Sequence, residues 1–313
     1  MTFEGYGVDL NQAQEPAALD DAQMRRVIES LYLGILERPG EPEGVEGHLR
    51  GIQAQGGLAA LPGLFRIFVG SEEYKARTRE GAYTDLMTRL PSQQAVQSFH
   101  HVIGIGRACA TASILRRWKL RAASGPFDWL HSSAEVVEHA IADDFATFLD
   151  RSQYEDFRPA DERLGLRTQH RLYGSMMSPA YSPVFNHHNP LRNDEDYRTF
   201  ARHVDHFRRA IHGPHRCLLV YIAPNEGDER QAVERLIGFF DRRMPNITLN
   251  AFLVDLPDGG LVPRVAQLGD YGRHRILHFA PTSQLFATGF NGLVDEVAMI
   301  RCFSIYDFDL MAS

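Results

Sequence analysis

The feature that most constrains the fold is an alternation of apolar strands with an amphipathic helix in the last third of the chain. An apolar run over 217–223 precedes a helix-periodic stretch over 228–242, and a second apolar run follows over 248–255. Strands joined through a helix of this length pair in parallel, and the helix covers one face of the sheet. The alternation therefore predicts an α/β domain with a central, mostly parallel sheet flanked by helices.

Segments upstream of this unit are predicted to extend the same domain. An apolar strand over 102–106 is followed by helices over 108–120 and 133–150, and an aromatic-rich helix covers 194–211. Residues 151–186 contain few regularly spaced apolar positions, so we expect a long loop there.

The first part of the chain predicts a separate helical module. Short segments with apolar residues at helical spacing begin near Asp21 and end at turns that contain glycine or proline. A chain of 313 residues is long enough for two domains. We expect a loose segment over 1–20, a small all-α module over 21–90 and the α/β domain over 98–313.

Composition argues against several classes of function. The chain carries 33 basic and 40 acidic residues, a formal charge of −7, which disfavours a surface that follows nucleic-acid phosphates. There is no basic and apolar leader and no apolar run of about 18 residues, so we expect no membrane span and a cytoplasmic location. Cys109, Cys217 and Cys302 are too widely spaced for a disulfide framework or a CxxC metal site. No cofactor or metal is predicted.

The sequence VIGIGRAC at 102–109 is the segment that points most directly to chemistry. A strand leads through a glycine-rich turn into a helix, and Cys109 lies in the first turn of that helix. Unpaired N–H groups and the partial positive charge of a helix N-terminus stabilise a thiolate. We therefore expect the Cys109 pKa to fall and the thiolate to act as a nucleophile. The candidate residues around its oxyanion are Gly104, Gly106, Arg107 and Ala108.

A thiolate nucleophile needs a base, and the densest histidine cluster is FNHHN at 185–189. Adjacent side chains of an extended segment point to opposite faces, so we expect either His187 or His188 to face the site. Asp128, in the stretch SGPFDWL, is predicted either to cap the helix that follows or to line the cleft near Cys109.

Together these segments resemble a known family. GIGRAC, SGPFDWL and FNHHN, in this order and ahead of an aromatic-rich helix and a strand, are similar to a bacterial family described as papain-like cysteine peptidases, over about residues 100–255. The resemblance implies that Cys109 matches the family's cysteine. It implies that His187 or His188 matches its histidine, and it makes a papain-like α+β fold the alternative to an open α/β sheet.

Papain-like enzymes also need an Asn or Asp behind the histidine to fix its tautomer. Asn225 and Asp255, at the ends of two predicted strands, are the candidates for this residue.

The helical module resembles a second domain. Leu31-Tyr32, Arg38-Pro39 and Ser71-Glu72-Glu73-Tyr74, within about residues 22–78, resemble a short bacterial helical domain of unknown function. That domain is found beside enzymes that process glycans and surface polysaccharides, so the resemblance implies a scaffold or docking role and a glycan-synthesis protein as partner. The same periodic apolar residues are typical of an ordinary helical core.

Three functions follow as hypotheses. The first is a thiol-dependent hydrolase or acyl transferase of cysteine-peptidase type, which acts on a peptide, acyl or glycan-derived substrate in bacterial surface-glycan processing. The second is a non-catalytic binding or scaffold protein of a glycan-synthesis system. The third is a nucleotide-binding protein, because the turn from Gly104 to Gly106 lies between a strand and a helix as in the dinucleotide fingerprint. No second strand that ends in an acidic residue follows about 20 positions later, where the SGPFDWL turn lies instead.

Overall fold

The structure is a computed structural model that describes residues 20–55, 60–74, 97–159, 165–177, 183–260, 262–286 and 288–310. The segment predicted to be loose, 1–20, lies outside the described residues except for Asp20. The predicted end of the helical module, at residue 90, also lies outside them.

Helices and strands alternate along most of the described chain. The helices are α1 (Asp21–Leu31), α2 (Pro42–Ala54), α3 (Leu61–Gly70), α4 (Ala110–Arg117), α5 (Ala134–Ala142), α6 (Arg171–Met176), α7 (Asp194–His212), α8 (Glu229–Arg243) and α9 (Leu293–Arg301). The strands are β1 (Gln97–Phe99), β2 (His101–Gly104), β3 (Tyr154–Phe157), β4 (Arg167–His170), β5 (Cys217–Pro224), β6 (Ile247–Val254), β7 (Arg264–Gln267), β8 (Arg275–Ala280), β9 (Leu285–Phe286), β10 (Gly289–Phe290) and β11 (Tyr306–Phe308). None of the described helices is both long enough and apolar enough to cross a membrane.

A five-stranded sheet forms the centre of the α/β domain, in the order β2, β5, β6, β8, β7. The first four strands are parallel, and β7 pairs antiparallel with β8. β6 is buried along its whole length and β5 along all but its last residue, because parallel strands have helices on both faces. The predicted mostly parallel sheet is confirmed, and α8 is the crossover between the two apolar runs.

Helices cover both faces of this sheet. On one face, α5, α7 and α8 pack on Leu219, Tyr221 and Ala251. On the other face, α4 and α9 pack on Leu218 and Val220. Because successive side chains of a strand point to opposite faces, alternate residues of β5 supply the two cores.

The N-terminal helices α1, α2 and α3 lie in the second of these layers. Their apolar residues belong to the same cluster as those of α9 and of the sheet. At this contact the carbonyl of Gly34 accepts a hydrogen bond from Arg301 at 3.1 Å. A Cβ at Gly34 would lie 2.8 Å from Val297, so the absence of a side chain allows the close approach to α9.

The prediction of an irregular loop over 151–186 is wrong for its described part. β3 and β4 pair antiparallel, with Tyr154 opposite His170, and α6 follows β4 directly. Each of these strands has four residues, and only three of the eight side chains are buried. Strands this short and this exposed leave no apolar alternation in the sequence, so the pattern could not reveal them.

Candidate functional site

The glycine turn, residues 104–109, lies at the carboxyl end of β2. This is the edge at which open α/β sheets bind their ligands. Cys109 is the N-cap residue of α4, and its side chain makes no capping hydrogen bond. The cysteine therefore lies at the strand–helix junction that the sequence predicted.

Hydrogen bonds to β5 hold the turn on one side. The N–H of Ile105 donates to the carbonyl of Val220 at 2.8 Å, and the N–H of Arg107 donates to Ile222 at 3.2 Å. The side chain of Arg107 is almost fully buried and donates to Glu229 at 2.5 Å. The turn thus continues the parallel ladder beyond β2 and is anchored to α8.

Internal packing accounts for the two glycines of the turn. A Cβ at Gly106 would lie 2.9 Å from the backbone nitrogen of Ile222 and 3.0 Å from its oxygen. A Cβ at Gly104 would lie 3.1 Å from Thr111 Cγ2 and 3.2 Å from Asp128 Oδ1. Because β5 and these side chains already occupy the space, the glycines are explained without a pyrophosphate of the kind that the dinucleotide fingerprint cradles.

The expected fall in the Cys109 pKa is wrong for this structure. Cys109 is only 2% exposed. Burial raises the pKa of its thiol to about 12, and the neighbouring carboxylate of Asp128 raises it further. Desolvation of the thiolate outweighs the stabilisation that the backbone at the start of α4 supplies.

Asp128 lies against the glycine turn and does not cap the following helix, whose N-cap is Ser133. Its Oδ2 accepts a hydrogen bond from the N–H of Gly125 at 2.8 Å and an ion-pair hydrogen bond from Arg121. Burial raises the Asp128 pKa to about 6 despite these two partners. Of the two predicted positions, the structure places this carboxyl beside Cys109, and its role stays a prediction.

His188 has a carboxylate partner that the sequence analysis did not identify. Its Nδ1 lies 3.3 Å from Oδ1 of Asp196, in the first turn of α7, and the ring packs edge-on against Phe200 at 5.3 Å. The other oxygen of Asp196 accepts from the N–H of Asn189 at 2.7 Å. Asp196 follows the FNHHN stretch closely in the sequence, and a carboxylate just after a histidine pair is the signal that could have revealed it.

His187 has different surroundings. Its pKa is lowered to about 4, chiefly because water is excluded from its ring and to a smaller extent because His131, His188 and Arg167 lie nearby. The imidazole of His187 is therefore neutral at pH 7. The two adjacent histidines thus have distinct environments. The choice between them as the base stays a prediction.

Asn225 and Asp255 lie at the ends of β5 and β6, as predicted, but the structure joins them to another histidine. Asn225 Nδ2 donates to Asp255 Oδ1 at 2.8 Å, and Asp255 Oδ2 lies 2.6 Å from His278 Nε2. His278 belongs to β8, which is separated from β2 by two strands. The predicted orienting residues therefore contact His278, and the carboxylate beside His188 is that of Asp196.

The connection from α7 to β5 predicts that His188 lies towards the same edge of the sheet as Cys109. α7 ends at His212, just before β5 begins at Cys217, so the helix runs back across the sheet antiparallel to β5. A helix of 19 residues is about 28 Å long, which matches the span of an eight-residue strand. We therefore expect the first turn of α7, with Asp196, near the carboxyl edge. No hydrogen bond between Cys109 and a histidine occurs among the described residues.

The donor set gives no support for a metal centre. Within the described ranges, no group of three or more His, Cys, Asp or Glu side chains could hold a metal ion.

Residues 100–254 match the model of the family described as "Putative papain-like cysteine peptidase (DUF1796)". Over this segment the chain is similar to that family, and the resemblance drawn from the sequence is confirmed. The matched segment contains Cys109, Asp128 and the 185–189 stretch, but not the N-terminal helices. No curated protein and no solved structure matches the chain. The match supports a role of cysteine-hydrolase type.

Proposed function

We propose that the protein is a thiol-dependent hydrolase of cysteine-peptidase type with Cys109 as its nucleophile. The observation that carries the proposal is the position of Cys109 at the N-cap of α4, on the carboxyl edge of a parallel sheet, within the segment that matches the peptidase family. A peptide is the substrate class that the family match favours.

His188 is the proposed base, with Asp196 as the residue that orients it. A carboxylate only accepts hydrogen bonds, so a neutral His188 carries its proton on Nδ1, which faces Asp196 at 3.3 Å. Nε2 then holds the lone pair that can take the thiol proton. His187 is the alternative base, since a pKa of about 4 also leaves it neutral at pH 7.

The proposed reaction follows from these roles. The Cys109 thiol transfers its proton to imidazole, and the thiolate attacks the peptide carbonyl, forming a C–S bond and a tetrahedral oxyanion. The amides of Ala108 and Cys109 are the proposed donors to that oxyanion. The imidazolium then protonates the departing amine as the C–N bond breaks, and water hydrolyses the thioester to release the acid and the thiol.

The burial of Cys109 adds a requirement to this proposal. A thiol that is 2% exposed and has a pKa of about 12 is neither accessible nor ionised at pH 7. The glycine turn must therefore move when substrate binds, and the thiol must come within reach of the imidazole. Such coupling makes the enzyme inert towards small thiol reagents but reactive towards peptide-like ones.

The test compares two electrophiles on the full chain, with mass spectrometry to locate the modified cysteine. Iodoacetamide should label Cys109 slowly at pH 7, with a rate that rises steeply as the pH approaches the raised pKa of the thiol. Dipeptidyl acyloxymethyl ketones, which require an imidazole-activated thiolate, should label Cys109 selectively. Cys217 and Cys302 serve as internal controls, since both are buried and burial raises the pKa of each. Equally slow labelling of all three cysteines by both reagents would contradict the proposal.

Acyl transfer and a link to surface glycans are finer proposals. Hydrolysis and transfer share the thioester, and they differ in whether water or another nucleophile resolves it. Adding hydroxylamine as acceptor separates them, because a transferase gives more hydroxamate than acid. The glycan link, and a glycan-synthesis partner for the helical module, rest on the likeness of residues 22–78 to the helical domain found beside such enzymes.

A non-catalytic binding protein is the second candidate, and the buried state of Cys109 favours it. A free cysteine at such a position is often a small apolar residue of the core. The peptide electrophile distinguishes the two candidates, because a binding protein would leave Cys109 unlabelled.

A further inference from the structure

Two residues that precede α5, His131 and Ser132, connect the glycine turn to the histidine segment. Ser132 is fully buried, and its Oγ donates to the carbonyl of Gly106 at 2.9 Å. Its N–H donates to the carbonyl of Arg107 at 3.2 Å. Both carbonyls belong to the turn and lie directly before Ala108 and Cys109. Ser132 therefore fixes the peptide groups that lead into the nucleophile.

The turn is held from two opposite sides. Its N–H groups at Ile105 and Arg107 donate to β5, whereas its carbonyls at Gly106 and Arg107 accept from Ser132. A segment with both sets of backbone groups occupied cannot shift without breaking hydrogen bonds. Ser132 supplies the half of this restraint that does not come from the sheet.

His131 faces the other way, towards the histidine segment. Its N–H donates to the carbonyl of Val184 at 2.8 Å, and its Nδ1 lies 3.2 Å from the carbonyl oxygen of Pro183. A carbonyl only accepts, so Nδ1 of a neutral His131 carries the proton. Pro183 and Val184 lead directly into the stretch that holds His187 and His188.

We propose that His131 and Ser132 form a bridge that sets the separation between Cys109 and the histidine base. This inference rests on the proposed function, since it assumes that the thiol and the imidazole react together. Both are positioning residues that act through the backbone of the two segments they join. The bridge begins next to Ser133, the N-cap of α5, so it is attached to a regular element. Catalytic groups need such support, because a small misplacement costs orders of magnitude in rate.

Substitution of Ser132 separates positioning from simple stability. Ser132→Ala removes the hydrogen bond to Gly106, so the turn should open more often and also lose its alignment. We expect iodoacetamide labelling of Cys109 to rise about fivefold, the factor that the loss of one ordinary hydrogen bond allows. Labelling by the most reactive dipeptidyl acyloxymethyl ketone should fall about tenfold. These opposite changes are the signature of a positioning residue.

The adjacent serine provides a matched control. Ser133→Ala removes the hydrogen bond from the N–H of Val136 to Ser133 Oγ, at 3.2 Å, and so weakens α5 by a comparable amount. It should change neither labelling rate by more than about twofold. Ser132→Thr, which keeps a hydroxyl donor, should restore both rates towards those of the unmodified protein. His131→Phe keeps a ring without the Nδ1 donor and should lower only the peptide-electrophile rate, which provides a second test if Ser132→Ala fails to fold.

The possible results separate the inference from the proposed function. If Ser132→Ala and Ser133→Ala change both rates alike, or if His131→Phe leaves the peptide-electrophile rate unchanged, the bridge has no positioning role. If the unmodified protein does not react with the peptide electrophile, the proposed function fails and the inference fails with it. Reaction of the unmodified protein with no response in the bridge variants overturns the inference alone.

Discussion

Histidines at the amino end of β2 and in the 185–189 stretch, which is expected near its carboxyl end, have different environments. At the amino end, the ring of His215 lies 4.6 Å from that of His100 and 6.3 Å from that of His101. No ion pair joins any of these three rings to a carboxylate among the residues that the structure describes. At the carboxyl end, His188 faces the carboxylate of Asp196.

This difference shows which histidines are prepared for proton transfer. A carboxylate fixes the tautomer of an imidazole and stabilises the imidazolium that forms when it accepts a proton. Neighbouring imidazoles without a carboxylate do the opposite, and burial together with the nearby rings of His215 and His100 lowers the pKa of His101. The amino end therefore has a packing role, and proton-transfer chemistry is expected at the carboxyl end.

The largest expected effect comes from replacing Cys109, at the carboxyl end of β2. Replacement of Cys217, at the amino end of β5, is the comparison. Cys109→Ala should abolish reaction with peptide substrates or electrophiles, a loss of at least about a thousandfold, because no nucleophile remains. Cys217→Ala, at the amino end of β5, should cost about 1 kcal/mol in the free energy of unfolding and leave activity unchanged. Rate measurements with circular dichroism as the folding control test this, and activity retained by Cys109→Ala would end the mechanism.

Replacing a histidine should likewise lower the reaction rate more in the 185–189 stretch than at the amino end of β2. His188→Ala should lower the rate of the peptide reaction about a hundredfold, since general-base assistance is worth this much. Asp196→Asn should lower it about tenfold by allowing the wrong tautomer. His101→Ala, at the amino end, should leave the rate within about twofold. Equal losses for His188→Ala and His101→Ala would break the distinction between the two ends.

The stability of the fold in acid should depend on His274, which directly precedes β8. His274 is fully buried, and its Nδ1 accepts from the N–H of Leu249 at 2.9 Å. Burial and, to a smaller extent, nearby Arg273 lower its pKa to about 4, although Asp241, 3.2 Å from Nε2, opposes this shift.

Because the folded protein binds this proton less readily than the unfolded chain, His274 stabilises the fold above about pH 6.5. That stabilisation is lost as the pH falls towards 4, by up to about 3 kcal/mol. Chemical denaturation at pH 7 and pH 5 measures the loss. The difference between the two pH values should shrink in His274→Gln, and an unchanged difference would place the acid sensitivity elsewhere.

The smallest expected effects lie away from both ends of β2. Gly34→Ala should lower the free energy of unfolding by about 1–3 kcal/mol, because the new Cβ would meet Val297 at 2.8 Å. Gly47→Ala, in α2, meets nothing within 4 Å and should raise it by about 0.5–1 kcal/mol. Thermal unfolding of the two variants tests whether the helical module and α9 unfold together. Two shifts of the same sign would contradict the close contact at Gly34.

Parts of this protein could be predicted from sequence because their signals are local. The runs that became β5 and β6 are mostly apolar, and the 3.6-residue periodicity between them marks α8. Other elements gave no such signal. The helix predicted over 133–150 ends at Ala142, because Asp144 and Phe145 adopt φ values of 51° and 57°. Phe145 is fully buried there, and its packing selects a backbone conformation that an aromatic residue rarely adopts.

The candidate site likewise has a part that the sequence predicted and a part that it did not. Its strand–turn–helix junction at Cys109 and its histidine pair are adjacent residues that a pattern can identify. Their partners are distant or unmarked: Asp128 beside Cys109, Ser132 on the turn, and Asp255 joined to His278.

The sequence by itself determined an α/β sheet and a cysteine at the end of its first parallel strand, because strand and helix periodicities are properties of neighbouring residues. Tertiary structure alone decided that this thiol is covered and keeps its proton, that Asp196 faces His188, and that His131 and Ser132 connect the two segments. Desolvation and hydrogen-bond partners are set by atoms brought together only when the chain folds, so no local pattern could specify them.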